Sequence, residues 1–282
     1  MEIIVCRRND EAFEAMFNDL TQEVFGFSFA PWFEMKLWDE RYETYGIVQD
    51  GKMLSSACIF KIDILVNGQA AKSIQFGAVA TRKSERGKGL SRRLMEHVLS
   101  QYPDTPAHLA ANPTVVDFYP RFGFRQVQFH KPEIAVRINN DPSKAVQYEY
   151  DDDEVMEALA SRGAYSNMVD CLNTDTVRIF HMMIGYDEDI YFLPNCGALV
   201  VAKQKESRLF LADVITQKPI TFDALRAELP FENVDIVEFG FCPDHLGVSP
   251  IWVPSDMAKE PFFIKGNWNL PEKFRFPIMS ET

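Results

Sequence analysis

The residues best suited to chemistry lie between Glu85 and Val98, in the stretch ERGKGLSRRLMEHV. Its two glycines and four basic residues crowd the approach to a segment with helical periodicity. Such a loop offers a phosphate the unpartnered N–H groups of a first helical turn and the positive end of a helix dipole. Its glycines let the backbone take positive φ and come close to an anion. Arg82, Lys83, Arg86, Lys88, Arg92 and Arg93 add charge, with Glu85 the one acid among them, in a chain whose net charge is −12. Two nucleotide templates fail. G-x-x-x-x-G-K-[ST] needs a hydroxyl after the lysine, and Gly89 follows Lys88. G-x-G-x-x-G finds Gly87 and Gly89, but Arg92 stands in the third place.

A third template, the acyl-CoA loop R-x-x-G-x-[GA], is met by Arg86, Gly87, Lys88, Gly89 and Leu90, with Ser91 in place of the last small residue. The neighbours sharpen the match. FGAVATRKSERGKG lies upstream, and downstream AANPTVVDFYPRFGF supplies Asn112, Phe118, Tyr119, Gly123 and Phe124. In this order the two motifs resemble the GNAT superfamily of N-acetyltransferases over about residues 1–138. The resemblance implies acetyl-CoA as co-substrate and no metal. It places pantetheine and acetyl contacts on the backbone of Val79, Ala80 and Thr81, and the pyrophosphate on Arg86, Gly87, Lys88, Gly89, Leu90 and Ser91. It sets Asn112 at the end of a strand that parts from its neighbour to admit the cofactor, beside Phe118. It makes Tyr119 the acid that protonates the leaving thiolate. A phenol with pKa ~10 is protonated at neutral pH and can donate to a thiolate of pKa roughly 8.5.

The acceptor amine must lose a proton, and the sequence names no base for it. Asp63 and Glu43 read as a solvated strand face. The carboxylate of Thr282 is a further candidate, because some two-domain relatives use theirs. Cys242-Pro-Asp-His245 reads as a turn and not as a nucleophile with its base. The remaining histidines show no metal-ligand spacing, and the five cysteines are scattered without a C-x-x-C pair, so neither a disulfide framework nor a zinc site is expected.

These groups need a scaffold. Residues 2–8 read as a strand. Phe13, Met16, Phe17, Leu20 and Val24 recur at helical spacing behind Asp10 as N-cap, and PWFEMKLWDE as a short second helix. Asp50-Gly51 and Asn67-Gly68 mark a three-stranded meander. Leu90, Leu94, Met95, Val98, Leu99 and Tyr102 form one face of a helix. PAHLAAN is a buried strand, TVVDFYPRFGF a brief helix ending near Gly123, and RQVQFHKPEIAVRI a single strand. The expected fold is α/β: a GNAT domain at 1–138 with a mixed twisted sheet flanked by helices, then a second α/β domain at 139–282. In the latter, DDDEVMEALASRG is a helix closed by Gly163, and strand, strand, helix, strand follows, which fits a degenerate GNAT-like repeat. Its loop, DVITQKPITF, contains no glycine. The aromatic tail EPFFIKGNWNLPEKFRFP is expected to pack on the body.

Residues 1–130 carry 15 basic and 16 acidic side chains, and 131–282 carry 14 and 25. An acidic second half argues against nucleic acid and favours a cationic acceptor, a small molecule or a peptide amine. No apolar run is long enough to span a membrane and no secretory signal is evident, so a cytoplasmic protein is expected. Two other classes fit less well. One is a FemABX-like tandem aminoacyl transferase, which the intact acyl-CoA loop disfavours. The other is a non-catalytic acyl-CoA sensor, which has no need of Tyr119.

Overall fold

The computed structural model describes residues 2–6 and 10–282. Positions 7 and 8 of the expected first strand lie outside them. Strand β1, Glu2–Cys6, precedes helix α1, Glu11–Phe25, whose N-cap Asp10 accepts from the Phe13 N–H. Helix α2, Ala30–Glu34, opens on Pro31 and is shorter than its sequence pattern suggests. The meander is β2, Tyr42–Gln49, β3, Lys52–Val66, and β4, Gln69–Thr81. Asp50, Gly51, Asn67 and Gly68 all take positive φ, as tight hairpins require. Helix α3, Leu90–Gln101, buries Leu90, Leu94, Met95 and Val98, and β5, Ala107–Ala110, follows in parallel with β4.

Beyond β5 the structure departs from the sequence pattern. The brief helix of TVVDFYPRFGF is two 3-10 turns, Pro113–Val115 and Tyr119–Phe122, because each begins at or next to a proline that cannot continue a helical ladder. The expected single strand divides into β6, Arg125–Val127, and β7, His130–Ile138. Between them Gln128 donates to the Ser255 carbonyl and the Phe129 carbonyl accepts from Ser255, so the chain is pulled out of one sheet and into another.

Among the described residues the later elements are β8, Val146–Gln147; α4, Asp153–Ala160; β9, Val169–Leu172; α5, Asp175–Gly185; β10, Ile190–Leu193; β11, Ala198–Lys205; β12, Arg208–Ile215; α6, Phe222–Glu228; β13, Val234–Phe239; β14, Ile251–Pro254; and β15, Phe262–Lys265. Helix α4 is closed by Ser161, whose hydroxyl bonds the Glu157 and Ala158 carbonyls, and Gly163 does not take the left-handed conformation a C′ glycine would need. The strand, strand, helix, strand order of β11, β12, α6 and β13 holds, with β12 and β13 parallel as β4 and β5 are.

The first sheet runs β1-β2-β3-β4-β5-β15-β6, and β9 pairs with the far end of β3 where β2 has ended. The second runs β14-β7-β13-β12-β11-β10-β8. The sheets therefore exchange segments: β7 leaves the first half of the chain for the second sheet, and β9 and β15 return to the first. The aromatic tail does more than pack, since Phe262–Lys265 pairs β5 on one side and β6 on the other. One apolar core joins the sheets, with Phe60 and Ile62 of β3 and Val201 and Ile215 of the second sheet in the same cluster.

Candidate active site

Beyond Ile74–Ala107 and Gln75–His108, β4 and β5 no longer pair, although β4 runs on to Thr81. The two strands part and leave a cleft of about 1000 Å³. Its walls are built from three separate pieces of sequence, the end of β4, the glycine loop and the turn carrying Tyr119.

The β4 wall is a bulge. Ser56 pairs with Ala80 and Cys58 with Gly77, so Ala78 and Val79 fall outside the register and Ala78 takes φ 43°. The Ser56 hydroxyl donates to the Ala78 carbonyl at 2.8 Å and the Ser55 hydroxyl to the Ala80 carbonyl at 2.7 Å. These bonds hold two carbonyls toward β3, and Val79, Ala80 and Thr81 line the cleft.

In the loop, Gly87 and Gly89 have φ 78° and 77°, and a Cβ on either would meet nothing within 4 Å. Gly89 caps α3 without a side-chain bond, and the first helical bond to its carbonyl comes from Arg93, so the N–H groups of Leu90 to Arg92 precede the intrahelical ladder. Ser91 and Thr81 share a hydroxyl–hydroxyl bond that also reaches Ser55, tying the helix start to the bulge. The basic cluster is mostly neutralised locally. Arg82 bonds Asp19 and Glu23, Lys88 bonds Glu85 at 2.9 Å and Arg92 bonds Glu96 at 2.8 Å. Lys88 accordingly turns away from the cleft, whereas Arg86 lines it, with no carboxylate on it among the described residues.

Asn112 lines the cleft with its Oδ1 occupied by the Thr114 N–H at 2.9 Å, so it caps a turn while facing the opening. Phe118 and Tyr119 also line it. The Tyr119 ring is packed by Phe118, Phe124 and, from the tail strand β15, Phe263 at 5.6 Å. Burial pushes its phenol up to about 12. The loop, the bulge and Tyr119 are thus brought together, as the motifs suggest.

The cleft passes through the sheet. Phe76 packs on the α3 face with Leu90 and Tyr119. Neighbouring strand side chains point to opposite faces, and the position of Gly77 is met on the other face by Thr282, whose Oγ1 lies 2.7 Å from where a Cβ would be. Gln75, on that same face, donates to the Ser280 carbonyl and accepts from the Thr282 N–H, both at 2.8 Å. The far compartment also takes residues that the motifs do not reach: Phe25 at the end of α1, Phe27 and Phe29 after it, Trp32 of α2, and Val177 and Phe180 of α5. The alternation of Phe25, Phe27 and Phe29 is their one sequence signal; α5 carries none.

The other candidates fall elsewhere. Glu43 is buried, not on a solvated face, and bonds Lys61, Tyr45 and Tyr102. Asp63 pairs with Lys72 and Asn173. The Cys242 thiol is buried and pushed up to about 12, which makes it inert. Among the described residues no group of three or more His, Cys, Asp or Glu is placed to hold a metal ion, and no helix is long and apolar enough to cross a membrane.

Residues 6–127, which hold the glycine loop, the bulge and the parting strands, match the family model of the acetyltransferase (GNAT) domain. The fold extends over nearly all of the chain. A probable N-acyltransferase from Enterococcus faecalis V583 aligns with a TM-score of 0.55 at 14% identity, covering 94% of this chain and 72% of its own. Eis1 from Mycobacterium abscessus aligns with a TM-score of 0.57 at 14% identity, covering 94% and 73%. A GCN5-related N-acetyltransferase from Anabaena variabilis ATCC 29413 aligns with a TM-score of 0.56 at 13% identity, covering 93% and 72%. Comparison with curated proteins finds no match.

Proposed function

We propose that this protein is an acetyl-CoA-dependent N-acetyltransferase acting on a primary amine by direct attack. The observation that supports this best is the meeting of three distant segments in one cleft: the open-faced glycine loop, the β4 bulge and Tyr119. Bound acetyl-CoA would supply an acyl group activated as a thioester. The backbone N–H groups from Gly87 to Ser91, with Arg86, suit its pyrophosphate. The unregistered backbone of Ala78 and Val79 can hold the pantetheine arm and orient the carbonyl.

The chemistry asks for one protein acid. As the amine nitrogen forms the new C–N bond and the C–S bond breaks, Tyr119 gives its proton to the departing sulfur. The proton shed by nitrogen leaves to water. A phenol held at about 12 stays loaded for this step at neutral pH. Nothing in this scheme needs a metal, and a cytoplasmic setting suits a protein that draws on acetyl-CoA.

The test is a thiol-release assay with acetyl-CoA across a panel of amines, alongside calorimetric titration with acetyl-CoA alone. Binding with amine-dependent thiol release is expected. Binding without release for any amine would favour a sensor, and absence of binding would reject the proposal.

A further inference from the structure

Resting on the acetyltransferase reading, we infer that Phe263 of β15 is the positioning residue for the acid Tyr119, so that proton delivery depends on the tail strand while acetyl-CoA binding does not. Phe263 is 1% exposed, and its ring lies 5.6 Å from that of Tyr119 with the planes 44° apart. The other two rings paired with Tyr119 are Phe118 at 5.3 Å, the residue before it, and Phe124 at 6.2 Å, the residue after Gly123. Both belong to the same short stretch of chain and move with it. Phe263 comes from outside that stretch and fixes it against the sheet. The strand meets the turn a second time where the Lys265 Nζ lies 3.0 Å from the place of a Cβ on Gly123.

The register of β15 aims the ring. Phe263 stands opposite Leu109 of β5 on one side and Gln126 of β6 on the other. Phe262 and Ile264 bury the opposite face of the sheet, Phe262 against Phe276 at 5.1 Å. A slip of one residue would send Phe263 to that face and leave Tyr119 without it. The same strand carries the wall of the cleft. β5 pairs with β4 at Ala107 and His108 and with β15 at all four of its residues. Past its end the Ala111 N–H, next to Asn112, donates to the Pro261 carbonyl at 2.9 Å.

Tyr119 lines the cleft and Phe263 does not, so a change at Phe263 reaches the reacting atoms through the tyrosine. Burial is what raises the Tyr119 phenol to about 12. Removing a ring from its packing admits water and lowers the phenol toward the ordinary ~10. Loss of Phe263 therefore has two expected signs, a less well placed acid and one that ionises sooner.

The experiment makes Phe263→Ala and Phe263→Leu in the full chain, each alone and together with Tyr119→Phe. Thiol release from acetyl-CoA is measured with the most active of ethanolamine, lysine, spermidine and kanamycin. Phe263→Ala should lower kcat about tenfold, with Phe263→Leu recovering part of the loss. Calorimetric acetyl-CoA affinity, which also reports folding, should stay unchanged in both. In the Tyr119→Phe background neither change should lower kcat further. NMR of protein isotope-labelled at the tyrosine Cζ, with Tyr119 assigned by the signal lost in Tyr119→Phe, should show the phenol ionising nearer ~10 in Phe263→Ala than in wild type. An equal loss of kcat in the Tyr119→Phe background would overturn the inference, as would an unchanged kcat or an unchanged Tyr119 titration in Phe263→Ala. If Phe263→Ala does not fold, Phe263→Leu is read by the same criteria. Loss of acetyl-CoA binding in both would overturn it too, because the strand would then serve the cofactor as well. An unchanged kcat in Tyr119→Phe alone, or no acetyl-CoA binding by wild type, would instead reject the acid or the acetyltransferase reading, and this inference with it.

Discussion

Tyr119 is 6% exposed and lines the cleft, its ring held by three phenylalanines. Burial raises its pKa, so the protonated form persists from neutral pH up toward about 12. Tyr119→Phe keeps the packing and removes the proton. We expect kcat to fall by roughly a hundredfold with acetyl-CoA affinity nearly unchanged, read by steady-state kinetics and calorimetry. The same shift predicts that wild-type kcat shows no alkaline decline between pH 8 and 10. A decline there that is missing from Tyr119→Phe would contradict the assignment. At Gly89 the space is open but the φ of 77° is not one an L-residue favours. Gly89→Ala should cost about 1 kcal/mol of stability and weaken acetyl-CoA binding about tenfold, because the strain is relieved by turning the N–H groups of the loop. Thermal melting and titration separate the two effects.

At the scale of elements, Glu43 shows how the meander is locked to α3. Burial alone would raise its carboxyl, but Lys61, Tyr45 and Tyr102 outweigh burial and hold it at about 2, below the ordinary 4.5. Their bonds, each 2.8 Å, reach β3, β2 and the end of α3. With the folded pKa depressed, this stabilisation is present above pH 4.5 and is lost as pH falls toward 2. Glu43→Gln should cost about 2 kcal/mol at pH 7 and should make urea unfolding less sensitive to pH between 4.5 and 2. An acid limb identical to wild type would show that the pair carries none of it. The elements with local signals, α1 with its Asp10 cap, the two hairpins and α3, were legible in the sequence because their cues lie within a few residues. Strands β9, β14 and β15 were not, for each is four residues long and takes its identity from partners far away in sequence.

Over the whole molecule, the two sheets are laced together by segments that cross between them. Arg178 bonds Asp213 at 2.7 Å and Arg162 reaches both Asp213 and Asp170, all nine-tenths buried or more, so α5, β9 and β12 meet in one ionic cluster. Thr174, at the start of α5, bonds both Arg178 and Ser280, which carries the cluster to the tail segment beside Gly77. Such a cluster punishes loss of any one member more than it adds net stability. A fragment of residues 1–138 lacks β15, so β5 and β6 lose the strand between them, and β7 loses its sheet. We expect the fragment to be insoluble or to lack a cooperative melt by circular dichroism. A sharp melt with acetyl-CoA binding would show that the first sheet closes without the tail.

By itself the sequence determined the glycine loop at the start of α3 and the position of Tyr119 after it. Glycine, a helix start and a tyrosine at fixed spacing are local facts, and backbone N–H groups point where local conformation sends them. Only the tertiary structure decided what lines the cleft. Its wall draws on residues 25–32 and 177–180, and Tyr119 is packed by Phe263, because β4 and β5 part and distant chain returns to fill both faces of the sheet. Net charge suggested a cationic acceptor because it sums over the whole surface. The cleft is lined instead by what tertiary contacts bring to it, Phe27, Phe29, Phe180 and Thr282 among them.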